Sequence, residues 1–272
     1  MTLGIIIQAR MGSTRLPGKV LRDISGKPLL EHVLGRLQML KRPARVVVAT
    51  SSASENDVVE AWCLEHGVSC FRGDEADVLD RYFQCAKSLG MSDIVRLTAD
   101  NPFTDIEELE RLIDLHQRQG FDYTHAFGQL PIGVGAEIFT FEALSRSHRE
   151  GKLPHHREHV NEYFTDRPEL FKIGQLDVPP AKISPNLRLT VDTEEDWRRA
   201  CALAARGVGT GSGQKKQSDY VRLLHRKFTC TRHGASVSVV DARHRTAFTR
   251  SSGPIFSERS SEFVENHPRA RL

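Results

Sequence analysis

The sequence predicts an α/β fold with a mostly parallel, helix-covered sheet, on three observations. Short apolar runs alternate with helix-period segments over the first 119 or so residues. The first run ends in a loop rich in glycine and cations, the place where open α/β sheets hold anionic ligands. The chain of 272 residues, 39% hydrophobic and 27% charged, is long enough for one substantial core. No apolar run nears the roughly 18 residues of a membrane span.

Leu3 to Gln8 reads as a buried strand; it is shorter than a secretory h-region and lacks a basic flank, so a cytoplasmic protein is expected. After Pro28, Leu29, Leu30, Val33, Leu34 and Leu37 recur at helical spacing. Arg45 to Ala49 repeats the strand signature, and Ser54-x-x-Asp57 resembles a capping box opening a helix with Val58, Val59, Trp62 and Cys63. Val68 to Phe71 is a weaker strand, Asp77 to Leu89 a helix, and Asp93 to Thr98 a strand ending on Ala99-Asp100-Asn101-Pro102. Thr104-x-x-Glu107 then opens a helix with Ile106, Leu109, Leu112 and Ile113 on one face. From about 120 to 185 the pattern breaks into short pieces, Ala136 to Phe139 and Leu170 to Ile173, among Pro, Gly and a histidine cluster; this reads as a small inserted subregion. Leu187 to Val191 predicts a strand, and Thr193-x-x-Asp196 caps a helix bearing Trp197, Ala200, Cys201 and Ala204.

The composition changes after Gly207. Residues 1–207 hold 26 Lys and Arg against 30 Asp and Glu, and residues 208–272 hold 12 against 5. We therefore expect one domain over 1–207 and an irregular, basic, poorly ordered tail over 208–272, either a divergent extension or the product of a shifted reading frame. The tail's cations are scattered singly, without an aromatic platform or helical stripe, which argues against specific nucleic-acid binding. Five cysteines, at 63, 70, 85, 201 and 230, show neither a C-x-x-C nor regular spacing, so reduced thiols are expected.

The stretch Gln8-Ala-Arg-Met-Gly-Ser-Thr-Arg-Leu-Pro-Gly-Lys19 is a phosphate-loop candidate. Gly12 and Gly18 let backbone N–H groups approach an anion, Ser13 and Thr14 offer hydroxyls, and Arg10, Arg15 and Lys19 supply charge. It is not a Walker A loop: five residues separate the glycines where that motif has four, and Val20 replaces its hydroxyl. Asp100 and Asp192 each follow a predicted strand, where paired carboxylates serve as hard oxygen ligands for magnesium; the alternative for each is an acid satisfying helix N-terminal donors. Thr50 and Ser51 end the second strand, and Arg72, Gly73 and Asp77 lie in or next to the following loop, within reach of a nucleotide. His155-His-Arg-Glu-His159 matches the H-x-x-E-H of inverted zinc proteases, a remote hydrolase reading that leaves the phosphate loop unexplained.

The opening Ile-Ile-Gln-Ala-Arg-Met-Gly-Ser-Thr-Arg-Leu-Pro-Gly-Lys-Val-Leu, followed by Asp23-Ile-Ser-Gly-Lys-Pro-Leu-Leu, resembles the cytidylyltransferases that make CMP-activated acidic sugars, the CMP-Kdo and CMP-sialic acid synthetases of the acylneuraminate cytidylyltransferase family. The segments Phe71-Arg-Gly-Asp-Glu-Ala-Asp-Val-Leu-Asp-Arg81, Val95-Arg-Leu-Thr-Ala-Asp-Asn-Pro102, Arg157-Glu-His-Val160 and Leu189-Thr-Val-Asp-Thr-Glu-Glu-Asp196 are similar, in order, to the spore-coat polysaccharide branch. The resemblance spans about residues 3–206. It implies a Rossmann-like nucleotide-diphospho-sugar transferase fold with a sheet of mixed direction, transfer of CMP from CTP to an acidic or modified sugar with release of pyrophosphate, a Mg²⁺ cofactor and a homodimer.

Residue by residue, the resemblance implies Arg10 and Lys19 as catalytic. Ala9, Gly12, Ser13, Thr14, Arg15, Thr50, Ser51, Arg72 and Asp77 would bind the nucleotide. Asp100 and Asp192 would hold the metal, with Ala99 and Asn101 departing from the family's Gly-Asp-Glu-Pro. Glu137, Arg157 and His159 would meet the sugar; a buried carboxylate such as Glu137 requires a partner or ligand. A glycosyltransferase or an inactive nucleotide-sugar-binding protein on the same fold is the alternative.

Overall fold

The computed structural model describes residues 2–207. The basic, poorly ordered tail expected over 208–272, with Cys230, lies outside the described residues.

Nine strands and eight α-helices make up the regular structure of the described residues. β1 (Leu3–Gln8) leads through the phosphate-loop candidate to a two-residue hairpin, β2 (Asp23–Ile24) and β3 (Lys27–Pro28), and to α1 (Leu29–Leu37). Then follow β4 (Arg45–Ser51), α2 (Asp57–Glu65), β5 (Cys70–Gly73), α3 (Val78–Ser88), β6 (Asp93–Thr98) and α4 (Ile106–Gln119). Residues 120–185 supply β7 (Tyr123–His125), β8 (Glu137–Thr140), α5 (Phe141–Glu150), α6 (Pro154–Glu158), α7 (Glu162–Asp166) and β9 (Ile173–Gln175), and α8 (Glu194–Ala204) closes the set.

The main sheet runs β5-β4-β1-β6-β8-β7-β9. β1, β4, β5 and β6 are parallel, while β8 runs antiparallel to β6 and β7, giving the expected mixed sheet. The region read as an insert thus adds three strands to the same sheet. Side chains alternate across it. Ile5 and Ile7 join the apolar layer of α1, α2, α4 and α8, whereas Ile6 joins that of α3, α5 and α7. Burial on both faces is why β1 reads as an unbroken apolar run. The chain leaves β1 for β4 and β5 on one side and returns to β6 on the other, which makes the ends of β1 and β6 a topological switch point.

Three local expectations shift. Ser54 lies in a 3₁₀ turn, and α2 begins at Asp57 with no side-chain cap. Asp105, one residue past Thr104, caps α4 by accepting the Glu108 N–H. Leu187 to Val191 forms no regular strand: Arg188 makes an isolated bridge with Ile132, and Val191 N–H donates to the Asp100 carbonyl at 2.8 Å. Its other backbone pairing is with Ile132, which donates to the Leu187 carbonyl and accepts the Leu189 N–H at 2.8 Å each, too short a ladder for a regular strand.

Candidate active site

The loop after β1 is folded by its own backbone. The Met11 carbonyl accepts the N–H groups of Ser13 (2.8 Å) and Gly18 (3.0 Å). Gly18 takes φ 68°, the left-handed region that glycine enters without steric cost, and starts the 3₁₀ turn Lys19–Leu21. From behind, Asn56 Oδ1 accepts the Met11 N–H at 2.8 Å, while its Nδ2 donates to Ser51 Oγ at 2.8 Å. The chain from Ser51 through Asn56 to Met11 ties the end of β4 to the loop.

Lys19 is 8% exposed and carries the site's central contacts. Its Nζ donates to Asp100 Oδ2 (2.9 Å), Asp192 Oδ1 (2.8 Å) and the Val191 carbonyl (3.0 Å). Thr98, the last residue of β6, donates its hydroxyl to Asp100 Oδ1 at 2.5 Å. Arg15 reaches Asp192 at 3.2 Å, and Arg188 pairs with the same carboxylate. Burial works to raise the Asp192 carboxyl, but the Lys19 hydrogen bond and the charges of Lys19, Arg15 and Arg188 outweigh it and hold the group below its ordinary value. Asp192 sits just before α8, whose cap is a reciprocal box in which Thr193 Oγ1 accepts the Asp196 N–H and Asp196 accepts the Thr193 N–H. Thr193 and Asp196, rather than Asp192, make this cap, so the Asp192 carboxylate is left to face the loop.

These groups line a cavity of about 340 Å³. Arg10, Gly12, Ser13, Thr14 and Arg15 come from the loop, and Lys19, Asp100 and Asp192 from the acid pair and its cation. Gln8, Val20, Arg96, Thr98, Ala99 and His159 complete the lining. Arg96 was not assigned a role from sequence, although an arginine within an apolar strand was a signal for one. Its Nη1 donates to Glu137 Oε1 at 2.5 Å, and Tyr123 donates its hydroxyl to Glu137 Oε2 at 2.5 Å. The partner expected for buried Glu137 is therefore supplied by the protein.

The other expected contacts lie outside this cavity. Ala9 is buried, its N–H donating to the Ala49 carbonyl at 3.1 Å. Thr50 and Ser51 are fully buried behind the loop. Arg72 holds the carbonyls of Ser51 (3.1 Å) and Ala53 (3.0 Å) and pairs with Asp57 and Glu60 at 2.7 Å each. Asp77 caps α3 through the Asp80 N–H and takes Arg157 Nε at 2.7 Å, so these two predicted ligands are spent on each other. In H-x-x-E-H, α6 ends at Glu158 and His159 is extended (φ −120°, ψ 108°), so His155 and His159 do not share a helical face. His155 and His156 instead place Nε2 at 2.7 and 2.9 Å from Asp166 Oδ2. His156 Nδ1 also accepts the Leu153 N–H at 3.4 Å, so the two histidines and Asp166 join the end of α7 to α6.

As a donor set, Asp100, Asp192 and the Val191 carbonyl present three oxygens within 3.0 Å of one cationic centre, the Lys19 ammonium. Hard oxygen donors of this kind suit magnesium, and the ammonium stands in for a cation between them. A mostly parallel mixed sheet with a cationic loop and two facing acids at its switch point is the arrangement of the Rossmann-like nucleotidyltransferases. The cytidylyltransferase family model matches residues 4–224, and the chain belongs to that family. The chain is 40% identical over 203 residues to the spore coat polysaccharide biosynthesis protein SpsF of Bacillus subtilis (strain 168), covering 73% of this chain and 84% of that protein. It is similar to the structure of a cytidylyltransferase from Leptospira borgpetersenii serovar Hardjo-bovis, with TM-score 0.76 and 32% identity over 83% of this chain and 94% of that one. It also shares the fold of a CMP:2-keto-3-deoxy-manno-octonic acid synthetase complexed with CTP, with TM-score 0.60 and 20% identity over 76% of this chain and all of that one.

Proposed function

We propose that the chain activates an acidic or otherwise modified sugar with CTP for surface polysaccharide or glycan synthesis. A sugar hydroxyl attacks the α-phosphorus, the new O–P bond forms as the bond to pyrophosphate breaks, and the hydroxyl proton is released with CMP-sugar and pyrophosphate. The observation that carries this reading is the convergence of Lys19, Asp100 and Asp192 beside the loop that holds Arg10 and Arg15.

Such chemistry consists chiefly of holding nucleophile and leaving group in line and neutralising charge. Gly12, Ser13 and Thr14 bring donors to the phosphates, while Arg10, Arg15 and Lys19 draw charge toward the departing pyrophosphate. Asp100 and Asp192 would hold Mg²⁺, which supplies charge neutralisation on the triphosphate when bound. Thr98 fixes the Asp100 carboxylate, and the capping of α8 by Asp196 keeps Asp192 available. Glu137 and His159 serve the sugar half of the cleft, Glu137 through Arg96.

Incubation with CTP, Mg²⁺ and a panel of 2-keto sugar acids tests the reading, with pyrophosphate release as the expected outcome. Sugar transfer from a preformed nucleotide sugar, with no pyrophosphate formed from CTP, would replace it with a glycosyltransferase. We place the enzyme in the cytoplasm as a homodimer; among the described residues no helix is long and apolar enough to cross a membrane. Among the described residues, four of the seven exposed large apolar side chains, Phe127, Ile132, Leu153 and Ile183, fall in 120–185, and light scattering of the purified chain tests the dimer.

A further inference from the structure

His155 and His156 are neighbours on α6, and successive side chains of a helix diverge by about 100° around its axis. Both rings nevertheless turn Nε2 onto one oxygen, Asp166 Oδ2 at the end of α7, at 2.7 and 2.9 Å. One imidazole would suffice to tie the two helices. Among the described residues the ion pairs of Asp166 are with these two histidines and with no lysine or arginine, and Arg167, next along the chain, pairs with Glu169. Two imidazole nitrogens and a carboxylate oxygen thus lie within 4.8 Å of one another. The cluster is seated on one side and open on the other. The His156 side chain is 6% exposed, its ring edge-on to Tyr163 at 5.2 Å and to His155 at 4.3 Å. His155 and Asp166 are exposed, so an ion and a water can reach them.

Two imidazoles with one carboxylate suit zinc, whereas magnesium takes oxygen ligands and keeps its waters. Three protein ligands and a water make a tetrahedral zinc centre. With bonds of about 2.0 to 2.2 Å, such a centre separates its ligand atoms by about 3.4 Å. That spacing falls between the 2.7 Å and 4.8 Å that bound this cluster, and the two exposed side chains can turn to meet it. Ligation through Nε2 puts the one proton of a neutral ring on Nδ1, and a protonated ring releases its second proton to solvent. His156 then gives up its 3.4 Å contact with the Leu153 N–H, which is already at the long limit of a hydrogen bond.

We propose that His155, His156 and Asp166 bind a zinc ion that clips α6 to the end of α7. The site is separate from Asp100 and Asp192, since none of its three residues lines their cavity. It draws on the first two histidines of the H-x-x-E-H segment and leaves Glu158 and His159 out, so it is a structural clip and not a hydrolase centre. The His159 N–H donates to the His155 carbonyl at 2.8 Å, and His159 does line the cavity, so the ion steadies the segment that reaches the cleft. The proposal does not depend on the nucleotidyl-transfer reading.

The test is calorimetry of the full chain, stripped of metal by a chelating resin, held in excess Mg²⁺ to occupy Asp100 and Asp192, and titrated with zinc chloride. His155→Ala and Asp166→Asn, both at exposed positions, should weaken the zinc site by more than about tenfold, since loss of an outer-shell partner alone costs that much. His159→Ala should keep it, because that residue is not a ligand. Zinc should raise the Tm of the wild type and of His159→Ala but not of His155→Ala. Cobalt(II) in place of zinc should give the visible absorption of a tetrahedral centre in the wild type and lose it in His155→Ala and Asp166→Asn. Zinc bound elsewhere on the chain adds equally to every variant and cancels in the comparison. Equal zinc affinity in the wild type, His155→Ala and Asp166→Asn, displacement of zinc by Mg²⁺, or a loss in His159→Ala as large as that in His155→Ala would each overturn the proposal and leave the reading of the nucleotide site untouched.

Discussion

Lys19 sits between Asp100 and Asp192, the two acids proposed above to hold Mg²⁺, so its removal tests both its structural part and the metal site. Removing it leaves Asp100 and Asp192 facing each other, partly buried, without their shared cation. Lys19→Ala should cost ~3 kcal/mol in metal-free denaturation, as breaking a buried charge cluster does. Added Mg²⁺ should restore more stability to the variant than to the wild type; an equal response in both would show that ammonium and metal do not share the acid pair. By the same logic Mg²⁺ alone should bind the wild type weakly in calorimetry, and more tightly when CTP is present. Arg10→Ala, at a residue lining the cavity, should lower turnover with little loss of stability, and unchanged pyrophosphate release would remove it from the mechanism. Lys19 was legible as the cation that closes the glycine-rich loop, and the two acids because each follows a short apolar run. Arg157 and Asp77 were equally plausible there, and only the approach of α6 to the start of α3 shows that they neutralise each other.

The elements carry their own constraints. Gly133 sits at φ 87°, and a Cβ there would meet Thr190 N at 2.6 Å and Asn101 Oδ1 at 2.8 Å. Gly133→Ala should therefore cost ~2 kcal/mol or more and, by displacing the backbone just before Asp192, weaken Mg-nucleotide binding. Thermal denaturation and calorimetry on the same sample check both effects. α4 carries a pH dependence through His116, which is 1% exposed, with Nδ1 2.9 Å from Thr124 Oγ1. Burial lowers its pKa from the ordinary 6.5, and the opposing charges of Asp93 and Asp122 do not recover it. The unfolded chain takes up the proton near 6.5 and the folded protein only at lower pH, so stability is level above that value and falls as pH drops below it. Urea midpoints at pH 7.5, 6.5 and 5.5 should show the fall, and His116→Gln should reduce it; an unaltered slope in the variant would clear His116 of the effect. Helix and strand periodicity made most elements legible, whereas Leu187 to Val191 misled because an alternating apolar pattern records burial and not the presence of a neighbouring strand.

At the scale of the molecule, the switch point between β1 and β6 brings together residues from distant parts of the chain, Lys19, Asp100 and Asp192. A ligand that spans them should stabilise the whole domain. Mg-CTP at about a hundred times its Kd should add ~2.7 kcal/mol, and a thermal shift no larger than that given by Mg-ATP or Mg-GTP would count against cytidine selectivity. The parallel half of the sheet, the cationic loop and the identity of both acids were determined by the sequence itself, since burial periodicity and the local chemistry of glycine and charge are written along the chain. Tertiary structure alone decided which charges remain for a ligand. Arg72, Asp77 and Arg157 are consumed by neighbours, while Arg96 is braced by Glu137 and left partly open. A charged group spends its interaction on whatever the fold places within hydrogen-bond reach, and that proximity, between residues 41 or 80 positions apart, is not encoded in any local pattern.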